Sequence, residues 1–79
     1  MEFIKTRRKE IDRIDLKLVK LLETRVRVAG EIQSYKKKNG LKREDLLREK
    51  EIISHFKNSK LRAGFIRNFF GLLFSETKR

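Results

Sequence analysis

Three cationic residues, Arg8, Arg25 and Lys36, lie where a helix would bury hydrocarbon. They belong to a run that repeats at helical spacing: Ile4, Arg8, Ile11, Asp15, Leu18, Leu22, Arg25, Ala29, Ile32 and Lys36. Arg25 and Lys36 are about three turns apart, or about 16 Å, and point in nearly the same direction. Their long side chains could therefore converge on one small anion.

Arg25 also has a structural interpretation. Its side chain could extend to the surface, or it could pair with a carboxylate as a polar residue that sets the register of a helical seam. A single charged residue in an apolar stripe favours that interpretation. Three cations along one stripe leave both interpretations open.

The composition also indicates an anionic partner. The chain has 22 Lys and Arg against 11 Asp and Glu, with a net charge of +11. This charge does not distinguish nucleic acid, lipid headgroup and small dianion. The absence of cysteine excludes disulfides and thiolate zinc sites. No long apolar segment opens the chain, and residues 65–74 are too short and too polar to span a bilayer, so we expect a cytoplasmic protein without membrane association.

Turn signals divide the chain into three helical segments. There is no proline, and "KKNG" (37–40) and "KNSK" (57–60) separate the segments 3–38, 45–57 and 61–77. Asn39-Gly40 suits a left-handed cap of the first helix. The fold class is therefore all-α, and we expect residues 1–79 to form a single helical domain.

The second and third segments carry most of the candidate core. In the second we expect burial of Leu46 or Leu47, Ile52, Ile53 and Phe56. In the third, the apolar residues are Leu61, Phe65, Phe69, Phe70, Leu73 and Phe74, and Gly64 and Gly71 would permit close helix packing.

The length of the first helix predicts a dimer. A helix over residues 3–38 would be about 54 Å long, whereas a compact chain of this size is about 30 Å across. Two short helices cannot cover so long a stripe, and an antiparallel two-fold homodimer is the simplest solution. Arg8 is about 25 Å from Arg25 along the helix, but in such a dimer it could lie opposite the Arg25–Lys36 interval of the other chain.

Several motifs of the sequence resemble those of a known protein family. "RRKEIDRIDLKLVKLLETR" (7–25), then Lys36, then "DLLREKEI" (45–52) resemble the all-helical chorismate mutases in order and spacing. The resemblance runs from about Arg7 to Thr77. It implies an intertwined homodimer of three-helix chains that converts chorismate to prephenate in phenylalanine and tyrosine biosynthesis, an isomerase reaction that requires no cofactor.

The resemblance also implies roles for individual residues. Arg8 matches an arginine donated by the partner subunit to a substrate carboxylate, and Arg25 matches the arginine that binds a carboxylate within its own chain's site. Lys36 matches the lysine on the ether oxygen of the breaking bond. The remaining matches are site residues of the second and third helices: Asp45, Arg48, Glu49 (the partner of the substrate hydroxyl) and Thr77. For Asp45, helix capping is an equally good explanation.

The conversion of chorismate to prephenate requires only protein groups that bind and orient the substrate. Chorismate is a dianion and its rearrangement is unimolecular and pericyclic, so no nucleophile, metal or general base is required. Catalysis must come from holding the reactive conformer on arginines and from a donor aimed at the ether oxygen.

One departure from the family concerns a second donor to the ether oxygen. It is usually a glutamine or glutamate one turn beyond the position that matches Thr77, which would be position 81, whereas the sequence has 79 residues. We expect either that another residue supplies this donor or that the activity is reduced.

Three other functions remain open. A basic helical protein could bind nucleic acid through Arg7, Arg8, Lys9, Arg13 and Lys36–Lys38, but this leaves the stripe position of Arg25 unexplained. The related isochorismate pyruvate-lyases share the fold and the cations. A catalytically weak, regulatory mutase-like subunit is the third possibility.

Overall fold

A computed structural model describes residues 1–78 of the chain, and these residues form three helices without any strand. The helices are α1 (Glu2–Lys38), α2 (Leu46–Ser54) and α3 (Ala63–Lys78). The all-α prediction is confirmed. The second helix ends three residues before its predicted limit at residue 57, because residues 55–58 form turns. Within residues 1–78, none of the helices has both the length and the hydrophobicity needed to cross a membrane.

The end of α1 is fixed by a left-handed glycine. Gly40 has a φ of 65°, as the Asn39-Gly40 pair predicts, and the N–H of Leu41 donates to the carbonyl of Lys36 at 2.8 Å. The N–H of Gly40 also donates to the carbonyl of Lys37, at 3.4 Å. These two bonds form a Schellman motif, which satisfies the last carbonyls of the helix and turns the chain sharply. The loop is then tied back to α1, since the Gln33 amide donates to the carbonyl of Arg43 at 3.2 Å.

The small core lies where α3 packs against both α1 and α2. Among residues 1–78 three apolar side chains are buried, and all belong to α3: Ile66, Leu73 and Phe74. Phe70 links α3 to the end of α2, because its ring stacks on Phe56 after α2 at a centroid distance of 5.1 Å. Its ring also contacts Phe74, in a tilted arrangement, at 5.9 Å. These rings also meet the C-terminal half of α1, where Arg25 lies over Phe70 and Phe74.

The other half of α1 projects from this core. The chain measures 57 × 24 × 16 Å with a radius of gyration of 16.3 Å, against about 12 Å for a compact chain of this length. Along residues 1–20 every side chain is exposed except Glu10, which is half-buried. Apolar residues of the stripe, among them Ile4, Ile11 and Leu18, are therefore uncovered within the single chain.

Several burial expectations are wrong for the single chain. Leu47 is 80 % exposed and Leu46 is 61 % exposed, because α2 begins at the edge of the packed region. Phe56, Leu61 and Phe65 are also exposed. A Cβ atom added at Gly71 would meet nothing within 4 Å, so that glycine does not mediate close packing between helices of one chain.

Candidate functional site

A cleft of about 290 Å³ lies between the C-terminal half of α1, the start of α2 and the end of α3. Six of the seven residues predicted from the sequence line it: Arg25, Lys36, Asp45, Arg48, Glu49 and Thr77. The seventh, Arg8, lies on the projecting half of α1 and is not part of this cleft. The cleft approaches the size of a small-molecule site, whose volume is at least about 300 Å³.

Arg25 is held by aromatic rings rather than by a carboxylate. Its guanidinium carbon lies 5.8 Å from the ring centroid of Phe74 and 6.0 Å from that of Phe70. Among residues 1–78 no acidic side chain forms an ion pair with it. The ion-pair interpretation of Arg25 therefore fails within the single chain, and its charge remains available to an external anion. Cation–π contacts of this kind orient a guanidinium while leaving its N–H donors free.

Lys36 is another cation of the cleft that has no carboxylate partner among residues 1–78. It lines the cleft three turns after Arg25 and is half-buried. Within the described chain, residues 1–78, its ammonium group has no hydrogen bond or ion pair. The Schellman motif uses only its backbone carbonyl. Lys36 thus presents an unengaged donor to whatever occupies the cleft.

The side chain of Asp45 binds the backbone N–H of Arg48 at the start of α2. The Asp45 carboxylate accepts from the N–H of Arg48 at 2.9 Å, which confirms the capping interpretation of Asp45. Asp45 nevertheless lines the cleft as well, so capping and contact with a ligand are compatible. The Arg48 guanidinium pairs with Glu51 on the exposed side of α2.

Glu49 of α2 and Thr77 of α3 both line the cleft. Glu49 is half-buried and its carboxylate pairs with the ammonium group of Lys78, 29 residues away in sequence. The Thr77 hydroxyl donates to the carbonyl of Leu73 at 3.0 Å, one turn earlier in α3. The oxygen of that hydroxyl keeps its acceptor capacity for a ligand.

The charge balance of the cleft favours an anionic ligand. Cations outnumber acids among its lining residues, with Arg25, Lys36, Arg43, Arg48 and Lys78 against Asp45 and Glu49. An apolar wall completes it: Val28, Ala29, Ile32, Ile52 and Phe74. A small anion with an apolar face and a hydroxyl would find a counterpart for each of these groups.

A comparison with models of protein families matches this sequence to chorismate mutase type II over residues 7–79, almost the whole chain. The chain belongs to the type II chorismate mutase family. The resemblance on which the site residues were predicted is therefore confirmed. The family supports chorismate mutase activity, which is an isomerase reaction, and implies chorismate as the substrate. Neither the curated proteins nor the solved structures that were compared yielded a match.

Some residues of the cleft were not predicted from the sequence. Ala29 and Ile32 belong to the stripe, so helical spacing could have placed them beside Arg25 and Lys36. Gln33 and Arg43 line the cleft through the loop that follows α1, which periodicity does not describe. Lys78 reaches the cleft only because α3 packs back toward α2, and no local pattern in the sequence indicates its contact with Glu49.

Proposed function

We propose that this protein converts chorismate to prephenate in the biosynthesis of phenylalanine and tyrosine. The observation that carries the proposal is the cleft that Arg25, Lys36 and Glu49 line together in a chain of the chorismate mutase family. Neither Arg25 nor Lys36 has a carboxylate partner among residues 1–78. Such a cleft matches a dianion with a hydroxyl group. The arrangement of charges supports binding as the source of catalysis.

In this reaction the ether C–O bond breaks as a C–C bond forms in one cyclic movement of electrons. No proton is transferred, so the protein contributes geometry and electrostatics. Arg25 binds one carboxylate and thereby holds the compact conformer. Lys36 donates to the ether oxygen, where negative charge grows as the bond breaks. An ammonium group aimed at that oxygen stabilises the transition state more than the ground state.

The remaining residues of the cleft complete the fit. Glu49 accepts a hydrogen bond from the substrate hydroxyl, while Asp45 and Thr77 line the edge of the site. Arg48 contributes a further cation when its guanidinium turns from Glu51 toward the substrate. That exchange costs little, because Arg48 and Glu51 form an exposed pair within one helix, and such pairs contribute under about 1 kcal/mol.

We further propose that the active form is an intertwined antiparallel homodimer. Support comes from the projecting half of α1, whose apolar stripe is uncovered in the single chain, and from a core of only three buried side chains in residues 1–78. An apolar groove beside the cleft, lined by Leu18, Leu22, Phe69, Phe70 and Leu73 among others, offers a surface for the projecting helix of a second copy. Burial at about 25 cal/mol per Å² would then stabilise both chains.

The dimer also supplies the missing carboxylate receptor. Arg8 lies on the projecting half of α1, far from its own cleft, and forms no ion pair within residues 1–78. In the antiparallel arrangement, Arg8 of the partner subunit reaches the second carboxylate of the substrate. Each of the two sites is then assembled from both chains.

The direct test is an ultraviolet assay that follows the loss of chorismate with purified protein and identifies prephenate as the product. We expect turnover that falls as salt is raised, chiefly through weaker capture of the dianion. Release of pyruvate from isochorismate, without prephenate formation, would assign the lyase activity instead. Duplex binding with a steep logarithmic dependence on salt, and no turnover, would assign nucleic-acid binding.

A further inference from the structure

The ion pair between Lys78 and Glu49 differs from every other ion pair in residues 1–78. The other three pairs join residues three or four apart on one helix and are exposed, with side-chain exposures between 45 % and 66 %. Lys78 and Glu49 join the last turn of α3 to the first half of α2, and their side chains are 23 % and 22 % exposed. Shielding from solvent makes such a pair electrostatically stronger than an exposed one.

Both charges lie at favourable positions in their helices. Lys78 is in the final turn of α3, where the backbone carbonyls are negative, and Glu49 is in the first turn of α2, where the free N–H groups are positive. The helices therefore support the pair without a contribution from any ligand. Lys78 also lines the same cleft as Arg25 and Lys36, so the pair lies beside the two cations of α1.

A free Glu49 carboxylate would have other partners in this cleft. Arg25 and Lys36 have no carboxylate partner in the described chain, and both line the cavity into which Glu49 faces. A glutamate side chain has several rotatable bonds, so without Lys78 the Glu49 carboxylate would be free to change its position within the cleft. A contact with Arg25 or Lys36 would neutralise a cation needed for an anionic substrate and would also remove Glu49 from its place as a hydroxyl acceptor.

We propose that Lys78 is a positioning residue, which holds the Glu49 carboxylate for the substrate hydroxyl and keeps it away from Arg25 and Lys36. This inference rests on the proposed mutase activity. It assigns to Lys78 no contact with the reacting atoms. Loss of the Lys78 charge should raise the KM for chorismate, because the anion receptor becomes partly neutralised, and should lower kcat, because the acceptor is displaced.

The test is a double-mutant cycle with Lys78→Met and Glu49→Gln, measured by chorismate turnover. Lys78→Met retains the aliphatic stem and removes the charge, and Lys50→Met is the matched control on the exposed face of α2, outside the cleft. We expect Lys78→Met to lower kcat/KM by about ten-fold or more, as a misplaced site group does. Lys78→Arg should restore most of the activity. With Glu49→Gln already present, Lys78→Met should have almost no further effect.

Three outcomes would each refute a different claim. If the unaltered protein does not turn over chorismate, the proposed function itself fails. If the unaltered protein is active and Lys78→Met behaves like Lys50→Met, the positioning role alone is refuted. If the effects of Lys78→Met and Glu49→Gln multiply, Lys78 acts on the substrate directly and the inference is overturned. Far-UV circular dichroism checks folding, and Lys78→Gln replaces Lys78→Met in the cycle if the methionine variant loses helix content.

Discussion

The guanidinium carbon of Arg25 in α1 lies 5.8 Å from the ring centroid of Phe74 in α3. Phe74 is one of the three buried apolar side chains of the described chain, so the cation is anchored directly on the core. This contact explains how a charged residue occupies the apolar stripe of α1 without an acidic partner. The aromatic faces attract the guanidinium, and Arg25 at the same time lines the cleft.

Arg25→Ala and Lys36→Ala should each lower chorismate turnover by orders of magnitude. Each removes a charged donor from the substrate, and in a low-dielectric cleft such donors contribute roughly 10²-fold or more to the rate. Helix content measured by far-UV circular dichroism should stay nearly unchanged. A large loss of helix content in Arg25→Ala would instead favour a structural role for this arginine.

Two adjacent leucines of α3 allow a matched test of the core. Leu73 is 7 % exposed and Leu72 is 74 % exposed. Leu73→Ala should lower the free energy of unfolding by about 2–5 kcal/mol, because it leaves a cavity under the helix packing. Leu72→Ala should change it by less than about 1 kcal/mol. Denaturant unfolding checks both values, and equal losses would mean that Leu72 is covered by a second chain.

Two substitutions at Asp45 distinguish its role as a helix cap from its proposed role in the cleft. Asp45→Ala removes the cap on the Arg48 N–H and should lower stability by about 1 kcal/mol, whereas Asp45→Asn keeps a capping oxygen and should preserve it. We expect Asp45→Asn to lower turnover all the same, since a neutral amide is a weaker acceptor than a carboxylate. Thermal unfolding and steady-state kinetics measure the two effects. Unchanged kinetics in Asp45→Asn would leave capping as its only role.

The proposed dimer should not dissociate without unfolding, because each projecting helix would bury its stripe on the other chain. Light scattering at micromolar concentration should therefore detect no folded monomer. Ile11→Gln tests the same interface, with Lys9→Gln as a control that inserts the same residue on the same helix. We expect Ile11→Gln to cost about 1–3 kcal/mol per chain and the control almost nothing. In the single chain Ile11 is 53 % exposed, so a negligible cost would argue against its burial by a partner.

Arg8 provides the sharpest test of a shared site. Arg8→Ala and Arg25→Ala homodimers should both be nearly inactive, since every site lacks one carboxylate receptor. When the two variants are unfolded together and refolded as an equal mixture, about half of the dimers should be mixed. One site of each mixed dimer then combines an intact Arg8 with an intact Arg25. About a quarter of all sites should regain full activity.

The control for this experiment is the composition of the refolded sample. Mass spectrometry under native conditions should confirm the mixed dimers before activity is measured. If Arg8 and Arg25 served one site within a single chain, mixing would restore nothing. Persistent inactivity in a sample that contains mixed dimers would exclude the cross-subunit assignment.

Local features of the sequence determined the helices and part of the site. The spacing of the stripe places Arg25 and Lys36 on one face of α1, and both line the cleft. The Asn39-Gly40 pair and the acid at position 45 predicted where α1 ends and α2 begins, because left-handed backbone favours glycine and free N–H groups favour a carboxylate. The two caps depend on neighbours within about one turn of the chain, and the shared face of Arg25 and Lys36 depends only on the regular repeat of one helix.

The tertiary structure alone decided which surfaces of α3 face inward and what they meet. Ile66 is buried and Phe65 is exposed, although both fit an apolar helix, because the packing angle against α1 and α2 selects the face. The same packing puts Phe70 and Phe74 under Arg25 and brings Lys78 to Glu49. Helical periodicity specifies which residues share a face, but not which other helix covers that face. Contacts across 29 residues depend on how the intervening turns direct α3, and that direction is a property of the folded chain.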